Sequence, residues 1–189
     1  MKSDEVARHR RRVVPAAEGR VLEIGFGFGL NLPFYGPGVT AVVGVDPSAP
    51  LARMATTQRD AAPFPVDVVT APAEEMLLDD ASFDSAIVTW SLCTIPDAVA
   101  ALVQVRRILK PSGRLLFIGH GASPDPRVAV WQGRINPLWR QLAGGCNINR
   151  AIDHLVAEAG FRIERLETGC VVKGPKVLTF TYDGSARAA

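Results

Sequence analysis

The sequence predicts an α/β domain built on a Rossmann-like sheet of seven strands, mostly parallel, with helices on both faces and an antiparallel last strand. Two observations predict this fold. Short β-rich runs alternate with helical stretches along most of the chain, which is typical of a parallel sheet covered on both sides. The first run ends in a glycine-rich turn at residues 25–29, as expected where a first strand turns into a helix.

Each predicted element is bounded by turn residues. The strands are predicted at residues 20–24, 40–45, 66–70, 84–89, 113–119, 161–167 and 176–182. Helices are predicted at residues 47–59, 96–109 and 149–159, the last ended by Gly160 as a C-cap glycine. No good helix separates the last two strands, so the seventh is expected to insert antiparallel beside the sixth.

The length of 189 residues fits a single domain. Residues 1–18 are predicted to be a helical lead-in, with the basic run at residues 9–12 forming a solvated helix face. Residues 121–148 are interpreted as an insertion that caps one side of a binding site. Their apolar side chains fit the core packing of an ordinary helix equally well; they are Trp131, Pro137, Leu138, Trp139 and Leu142.

Composition excludes several classes of protein. The formal charge of +2 is too small to indicate a nucleic-acid partner. No segment has the apolar length of a membrane span, and the N-terminus lacks the apolar region of a secretory signal. Cys93, Cys146 and Cys170 are widely spaced, without a CxxC motif or a histidine at metal-ligand spacing. We therefore expect reduced thiols, no metal site and a cytoplasmic protein; peripheral membrane contact and the oligomeric state stay open.

The glycine turn is the most informative segment. Gly25, Gly27 and Gly29 stand at alternate positions directly after the first strand. Glycine there allows positive φ angles and lets a ligand approach the backbone closely. The following helix would begin with free N–H groups that point toward the same space. Such a turn alone is weak evidence for a ligand site, because structural glycine turns are common.

Three acidic features strengthen the prediction. Glu23 lies in an otherwise apolar strand end, where an ionised carboxylate needs a partner. Asp46 ends the second strand, 21 residues after Gly25, where a carboxylate can accept hydrogen bonds from both hydroxyls of a ribose. The loop with Ala73 and Glu74 follows the third strand and could meet an adenine edge through a backbone amide and a side chain.

The glycine spacing discriminates between ligands. A dinucleotide site has the pattern G-x-G-x-x-G, with a pyrophosphate at the helix N-terminus. Here the third glycine comes one residue early, and the carboxylate of Glu23 would repel a phosphate but attract an ammonium group. The pattern favours S-adenosylmethionine over NAD.

From residue 23 onward the sequence resembles class I S-adenosylmethionine-dependent methyltransferases with the motif E-x-G-x-G-x-G. The similarity continues through residues 42–46, 73–75, 83–84 and 107–116 and covers about residues 19–180. A closer similarity is to the methyltransferase-like group whose animal members are lipid-droplet-associated and methylate small thiols. Its segments are residues 29–35, 91–95, 123–131, 136–139 and 143–150. Some bacterial relatives of that group are labelled phospholipid methyltransferases.

The resemblance implies S-adenosylmethionine as cofactor, S-adenosylhomocysteine as product, and a small thiol, amine or lipid-like acceptor. The implied cofactor-binding residues are Glu23, Gly25, Phe26, Gly27, Gly29, Asn31, Asp46, Pro47, Ala73, Glu74, Trp90 and Ser91. Two departures stand out. With only about 18 residues before the first strand, the chain is expected to lack the hydrophobic anchor of the group. Phe26 and Phe28 also stand where small or polar residues are usual. The two rings could pack in the core or narrow the methionine pocket.

Methyl transfer needs mainly alignment of the acceptor, exclusion of water and, for some acceptors, removal of a proton. Candidate catalytic residues are His120, after the fifth strand, and Cys93, after the fourth. A structural hydrogen-bonding role for His120 and a buried apolar role for Cys93 are the alternatives. Two other functions also remain at this stage: a non-catalytic binding module with a methyltransferase fold, and an NAD-binding oxidoreductase.

Overall fold

The computed structural model describes residues 4–170 and 174–189 and contains the predicted sheet. Seven strands lie in the order β3-β2-β1-β4-β5-β7-β6. All neighbouring pairs are parallel except those of β7, which runs antiparallel to β5 and to β6. The strands are β1 Gly19–Ile24, β2 Val39–Val45, β3 Val66–Val69, β4 Phe83–Thr89, β5 Leu109–His120, β6 Phe161–Cys170 and β7 Phe180–Ala188. The predicted fold class, including the antiparallel last strand, is confirmed.

The helices cover both faces of this sheet. They are α1 Asp4–Val13, α2 Ala49–Met54, α3 Thr56–Asp60, α4 Ala98–Ile108, α5 Pro126–Leu142, α6 Ile152–Glu158 and α7 Lys176–Thr179. The single helix predicted over residues 47–59 is two short helices that meet at Ala55. Within the described ranges, none of the helices combines the length and the apolar character that crossing a membrane requires.

The bounds predicted for the last strand are wrong. Residues 176–179 form the short helix α7, and β7 begins only at Phe180. Its second half is polar or small, from Asp183 to Ala188, and has little strand propensity of its own. It is a strand because β5 and β6 flank it and pair with its backbone on both sides.

Alternate residues of the central strands face two separate cores, as the period of two in a strand requires. On one face, Leu22 and Val88 pack with residues of α4 and α6 such as Leu102 and Val156. On the other face, Val21, Ile87 and Ile118 pack against α1 and the turn after it, through Val6, Val13 and Val14. Both faces of the sheet are therefore buried.

The strand order reverses between β1 and β4, because β2 and β3 continue the sheet on one side and β5 on the other. In open α/β sheets the crevice at such a reversal, beyond the carboxyl ends of the strands, is the usual ligand site. The glycine turn after β1 and the loop after β4 lie at this crevice.

Candidate functional site

A cavity of about 990 Å³ opens at this crevice. All of the predicted cofactor-binding residues line it except Gly29. Residues outside the predicted cofactor-binding set also line it: Arg10, Ile24, Phe28, Leu30, Val45, Ser48, Leu51, Pro72, Glu75, Thr89, Thr94, Ile95, Pro96 and Gly144. The walls are formed by the ends of β1, β2 and β4, the loop after β3, and one residue of the loop after α5.

The three glycines of the turn have the positive φ angles that the sequence predicted, 71°, 53° and 67°. Gly25 is also required by close approach, because an added Cβ would lie 2.0 Å from the hydroxyl oxygen of Ser91. Gly27 faces open space, with no atom nearer than 3.9 Å to such a Cβ. Gly29 faces Leu32 and the ring of Phe26 instead, so it contributes to the shape of the turn but does not line the cavity.

Asp46 joins the glycine turn to the end of β2. One carboxylate oxygen accepts a hydrogen bond of 2.9 Å from the backbone N–H of Gly27, and the other accepts one of 2.8 Å from that of Ser48. Each oxygen retains acceptor capacity for a further donor. The carboxylate is thereby fixed at the cavity wall, where it can accept from a diol such as the two ribose hydroxyls.

Glu23 has the polar partners that its burial requires. It is 1% exposed, and its carboxylate accepts hydrogen bonds from the Asn31 amide at 2.9 Å and the Tyr35 hydroxyl at 2.7 Å. Arg10 donates to the amide oxygen of Asn31 at 2.9 Å. Burial raises the pKa of Glu23 to about 7, against the opposing effects of the hydrogen bonds from Tyr35 and Asn31 and the charge of Arg10. The site thus holds a buried acid that titrates near neutrality.

The prediction that residues 9–12 form a solvated face is wrong for Arg10. Arg10 is 4% exposed and lies on the buried face of α1 between Val6 and Val13. The spacing of these two valines, four residues before and three after Arg10, was the available signal. Arg12 is exposed, as predicted, and at the same time it pairs with Asp183, which is 2% exposed, and with Glu167. The basic run therefore docks α1 on the sheet and contributes Arg10 to the cavity.

The two phenylalanines of the turn have different environments. Phe26 is 2% exposed, and its ring packs directly over Gly44 of β2. A Cβ on Gly44 would lie 2.4 Å from that ring, so the absence of a side chain on β2 makes room for it. Phe28 is half-buried and lines the cavity. The Phe26 ring is therefore a core residue, whereas Phe28 is an aromatic part of the wall.

The loop after β3 forms the wall opposite the glycine turn. Residues Ala73–Glu75 make a short 3-10 turn, and Ala73 and Glu74 both line the cavity. A carboxylate oxygen of Glu74 accepts a hydrogen bond of 3.1 Å from the backbone N–H of Asp97. Asp97 in turn caps the start of α4 by accepting from Ala100. Glu74 therefore anchors this loop to the start of α4.

The chain leaves β4 through a strained residue. Trp90 has a φ of 62°, a left-handed conformation that is uncommon for a bulky residue and typical of functional sites. Its side chain is 3% exposed, and its buried indole N–H has no hydrogen-bond partner among the described residues. The ring packs on His120 with 4.8 Å between centroids. This conformation brings Trp90 and Ser91 to the cavity wall.

Neither of the candidate catalytic residues lines the cavity. His120 and Cys93 lie behind Trp90, together with Cys146 from the loop after α5, and the ligand atoms of the three side chains lie within 4.8 Å of one another. The sulfur atoms of Cys93 and Cys146 are 3.2 Å apart. Sequence reasoning did not connect these residues, since the two cysteines stand 53 positions apart on different loops. The cluster packs against the cavity wall at Trp90 and does not itself line the cavity.

Two side chains hold the loop after α5 against the loop after β4. Asn147 donates from its amide group and from its backbone N–H to the carbonyl of Cys93, at 3.0 and 2.8 Å. The guanidinium of Arg150 donates to three carbonyls of the same loop, those of Leu92, Ile95 and Pro96. These bonds fix the part of the cavity lined by Thr94, Ile95, Pro96 and Gly144.

Comparisons with known proteins agree with this geometry. The family described as "Methyltransferase domain" matches residues 22–117, just over half of the chain. Thiol S-methyltransferase TMT1B of Homo sapiens is 35% identical over 140 residues, which cover 71% of this chain and 57% of that protein. The chain spans about three fifths of the length of the curated relatives it matches.

Solved structures share the whole fold at low sequence identity. An S-adenosylmethionine-dependent methyltransferase from Mesorhizobium loti superposes with a TM-score of 0.70 at 19% identity, covering 98% of each chain. The [4+2]-cyclase SpnF superposes with a TM-score of 0.74 at 18% identity, covering 97% of this chain and 79% of that one. At such identities these neighbours establish the fold alone.

Proposed function

This chain belongs to the class I S-adenosylmethionine-dependent methyltransferases, and we propose that it methylates a small, uncharged, apolar acceptor, with a thiol as the first candidate. When bound, S-adenosylmethionine supplies an electrophilic methyl group on a sulfonium. The observation that carries the proposal is one cavity whose lining combines polar groups, at the glycine turn and Asp46, with apolar side chains such as Leu51 and Ile95.

The polar residues that line the cavity fit the cofactor. The carboxylate of Asp46 is held by two backbone N–H groups and faces the cavity, which supports a role in binding the ribose hydroxyls. Glu23 supports a role near the ammonium group, because its acidic side chain is buried beneath the glycine turn. The backbone of Gly27 borders open space, so a ligand can approach it closely.

The apolar lining of the cavity supports an acceptor without charge. Phe28, Leu51, Ile95 and Pro96 contribute apolar surface to the cavity, and desolvating a charged acceptor against it would be costly. The name of the human relative specifies a thiol. A thiol with a pKa of about 8.5 is a few per cent ionised at neutral pH, so transfer to it does not depend on a strong base. The predicted catalytic roles of His120 and Cys93 stay predictions.

The test begins with calorimetric titration of S-adenosylmethionine and S-adenosylhomocysteine, with NAD as the control ligand. Asp46→Asn should abolish binding of both adenosyl ligands, because an amide cannot accept from both backbone N–H groups and a diol. Asp67→Asn, which changes an exposed carboxylate on β3, is the matched control and should bind normally. Normal binding by Asp46→Asn would contradict the ribose assignment.

Acceptor class is then tested by incubating the protein and cofactor with an alkyl thiol, an alkyl amine, or vesicles containing phosphatidylethanolamine. Formation of S-adenosylhomocysteine together with the methylated thiol supports the proposal, whereas methylation of the amine or lipid alone replaces the thiol by that acceptor. Cofactor binding without transfer to any of the three would favour a non-catalytic role. The fold alone does not exclude this outcome, because the neighbour SpnF has the same fold and is named as a [4+2]-cyclase.

The exposed face of α5 supports a peripheral membrane contact, which the sequence leaves open. Trp131, Leu138 and Leu142 are each more than half exposed on this helix, beside Arg134. A helix that presents aromatic, aliphatic and basic side chains together is suited to a membrane surface. Co-sedimentation with anionic vesicles, compared between the native chain and Trp131→Ser, tests this contact. A cytoplasmic location and the absence of a nucleic-acid partner stay predictions.

A further inference from the structure

Behind the acceptor-side wall lies the cluster formed by Cys93, His120 and Cys146. Each residue comes from a different segment: the loop after β4, the end of β5 and the loop after α5. Their ligand atoms all lie within 4.8 Å of one another. Cys93 is 1% exposed and Cys146 is 8% exposed, while His120 is half-buried. Three strong metal-ligating groups therefore converge at one buried point.

The two cysteines are free thiols. Their sulfur atoms are 3.2 Å apart, whereas a disulfide requires about 2.05 Å. Two thiolates and one imidazole form a soft donor set, which selects Zn²⁺ and similar ions over Mg²⁺ or Ca²⁺. The same Cys₂His set holds zinc in sites that keep a fourth position open. A Zn²⁺ ion bound by two thiolates and a neutral imidazole has no net charge, so its burial carries no uncompensated charge.

The surrounding residues hold these donors in place. Asn147, the neighbour of Cys146, donates two hydrogen bonds to the carbonyl of Cys93. Trp90 packs its ring against the imidazole of His120. Arg150 fixes the loop that carries Cys93 through the carbonyl of Leu92 at 2.8 Å. Metal sites depend on supporting contacts of this kind, which orient the ligands before the ion binds.

We propose that Cys93, His120 and Cys146 bind one soft metal ion of the zinc class, which joins the loops on the acceptor side of the cavity. The proposal differs from the absence of a metal that cysteine spacing predicts, because the fold brings together residues that the sequence separates. The bound ion connects the loop after β4 to the loop after α5. It therefore stabilises the wall formed by Thr94 and Gly144, which lie one and two residues from the two cysteine ligands. The inference does not depend on which acceptor is methylated.

The test uses the full chain, stripped of metal by a chelator under reducing conditions and then titrated with Co²⁺ as a spectroscopic probe. We expect a thiolate-to-cobalt charge-transfer absorption that saturates at one equivalent and disappears when Zn²⁺ is added. Metal analysis of protein reloaded with Zn²⁺ should find one ion per chain, and thermal denaturation should shift to a higher temperature. Methyl transfer is not needed for any of these readouts.

Variants assign the ligands. Cys93→Ser and Cys146→Ser should each weaken or remove the charge-transfer absorption, and His120→Gln should lower Co²⁺ affinity by at least about tenfold. Cys170→Ser is the matched control, because it removes an exposed thiol on β6, and it should behave like the native chain. Circular dichroism checks that each variant is folded; if Cys93→Ser is not, Cys146→Ser and His120→Gln decide.

Three results would overturn the proposal. One is a folded, reduced native chain that shows no charge-transfer absorption with Co²⁺. Another is an absorption that persists in both Cys93→Ser and Cys146→Ser or is lost in Cys170→Ser. The third is conversion of Cys93 and Cys146 to a disulfide by mild oxidation while the reduced chain takes up no metal, which would make the pair a redox site.

Discussion

Glu23 provides a test of the polar side of the site that does not require a known acceptor. The perturbation is Glu23→Gln. The amide oxygen of the glutamine can accept from Asn31, and its NH₂ group can donate to the hydroxyl of Tyr35, so the two side-chain hydrogen bonds of Glu23 have replacements. The variant therefore removes the ionisation of the buried acid with little change in packing.

The magnitude follows from the pKa. Burial raises the pKa of Glu23 from 4.5 to about 7, so between these values the folded chain holds a proton that the unfolded chain has lost. The free energy of unfolding must then fall as pH rises, by about 1.4 kcal/mol per pH unit over this window. Over the whole interval the native chain loses about 3 kcal/mol of its free energy of unfolding by pH 8. Glu23→Gln does not show this loss, because its side chain does not ionise.

The assay is urea denaturation of both proteins between pH 4.5 and pH 8. The variant should gain stability relative to the native chain as pH rises, and the difference should level off above the folded-state pKa. Glu18→Gln, which changes an exposed carboxylate just before β1, is the matched control because it leaves the Glu23 network intact. A stability difference between Glu23→Gln and the native chain that does not vary with pH would refute the reasoning.

Three further predictions address the cofactor side of the cavity. Gly25→Ala should destabilise the chain more than Gly27→Ala. Both changes force an alanine into positive φ, but only at Gly25 would the added Cβ collide with Ser91. Urea denaturation of the two variants measures the difference in their free energies of unfolding. Gly44→Ala should lower the free energy of unfolding by about 1–3 kcal/mol, because the added Cβ would overlap the buried ring of Phe26. Adding the second change Phe26→Leu should recover part of this loss. If it recovers none, the loss does not come from the contact with Phe26. Binding of S-adenosylmethionine near pH 7 should release a proton, because an ammonium group beside Glu23 lowers the pKa of Glu23. Calorimetry in two buffers of different ionisation enthalpy detects this proton release. Glu23→Gln should abolish it.

The parts of the site that the sequence predicts are those encoded locally. The glycines and Asp46 follow directly after predicted strands, and the carboxyl ends of neighbouring parallel strands meet at one edge of a sheet. The same logic places Trp90 and Ser91 at the cavity, since they follow β4 beside β1. The exception, Gly29, shows the limit: its φ is as predicted, but it faces Leu32 and Phe26 and not the cavity.

Features that depend on long-range packing were not predictable in this way. Arg10 belongs to a run of basic residues, and only the docking of α1 against the sheet shows that its side chain reaches Asn31 and Glu23. Residues 177–179, Val-Leu-Thr, contain two β-branched side chains and suit a strand, yet they are helical, while the polar or small residues 184–186 pair on both sides. In both places tertiary contacts override local propensity.

The contacts that the sequence does not predict are concentrated in the loops after β4 and α5, which form the part of the wall that we propose to face the acceptor. The cofactor side is made by strand ends whose positions the sheet dictates, so one sequence motif suffices to locate it. The part of the wall that we propose to face the acceptor is made by the loop after β4 and the loop after α5, which are joined by the hydrogen bonds of Asn147 and Arg150 to the carbonyls of Cys93 and Leu92. We expect substitutions on these loops to change acceptor choice more than cofactor binding, because the loops lie outside the sheet. The metal cluster, which joins the same two loops, is therefore the structural feature through which the acceptor side can be altered while cofactor binding is preserved.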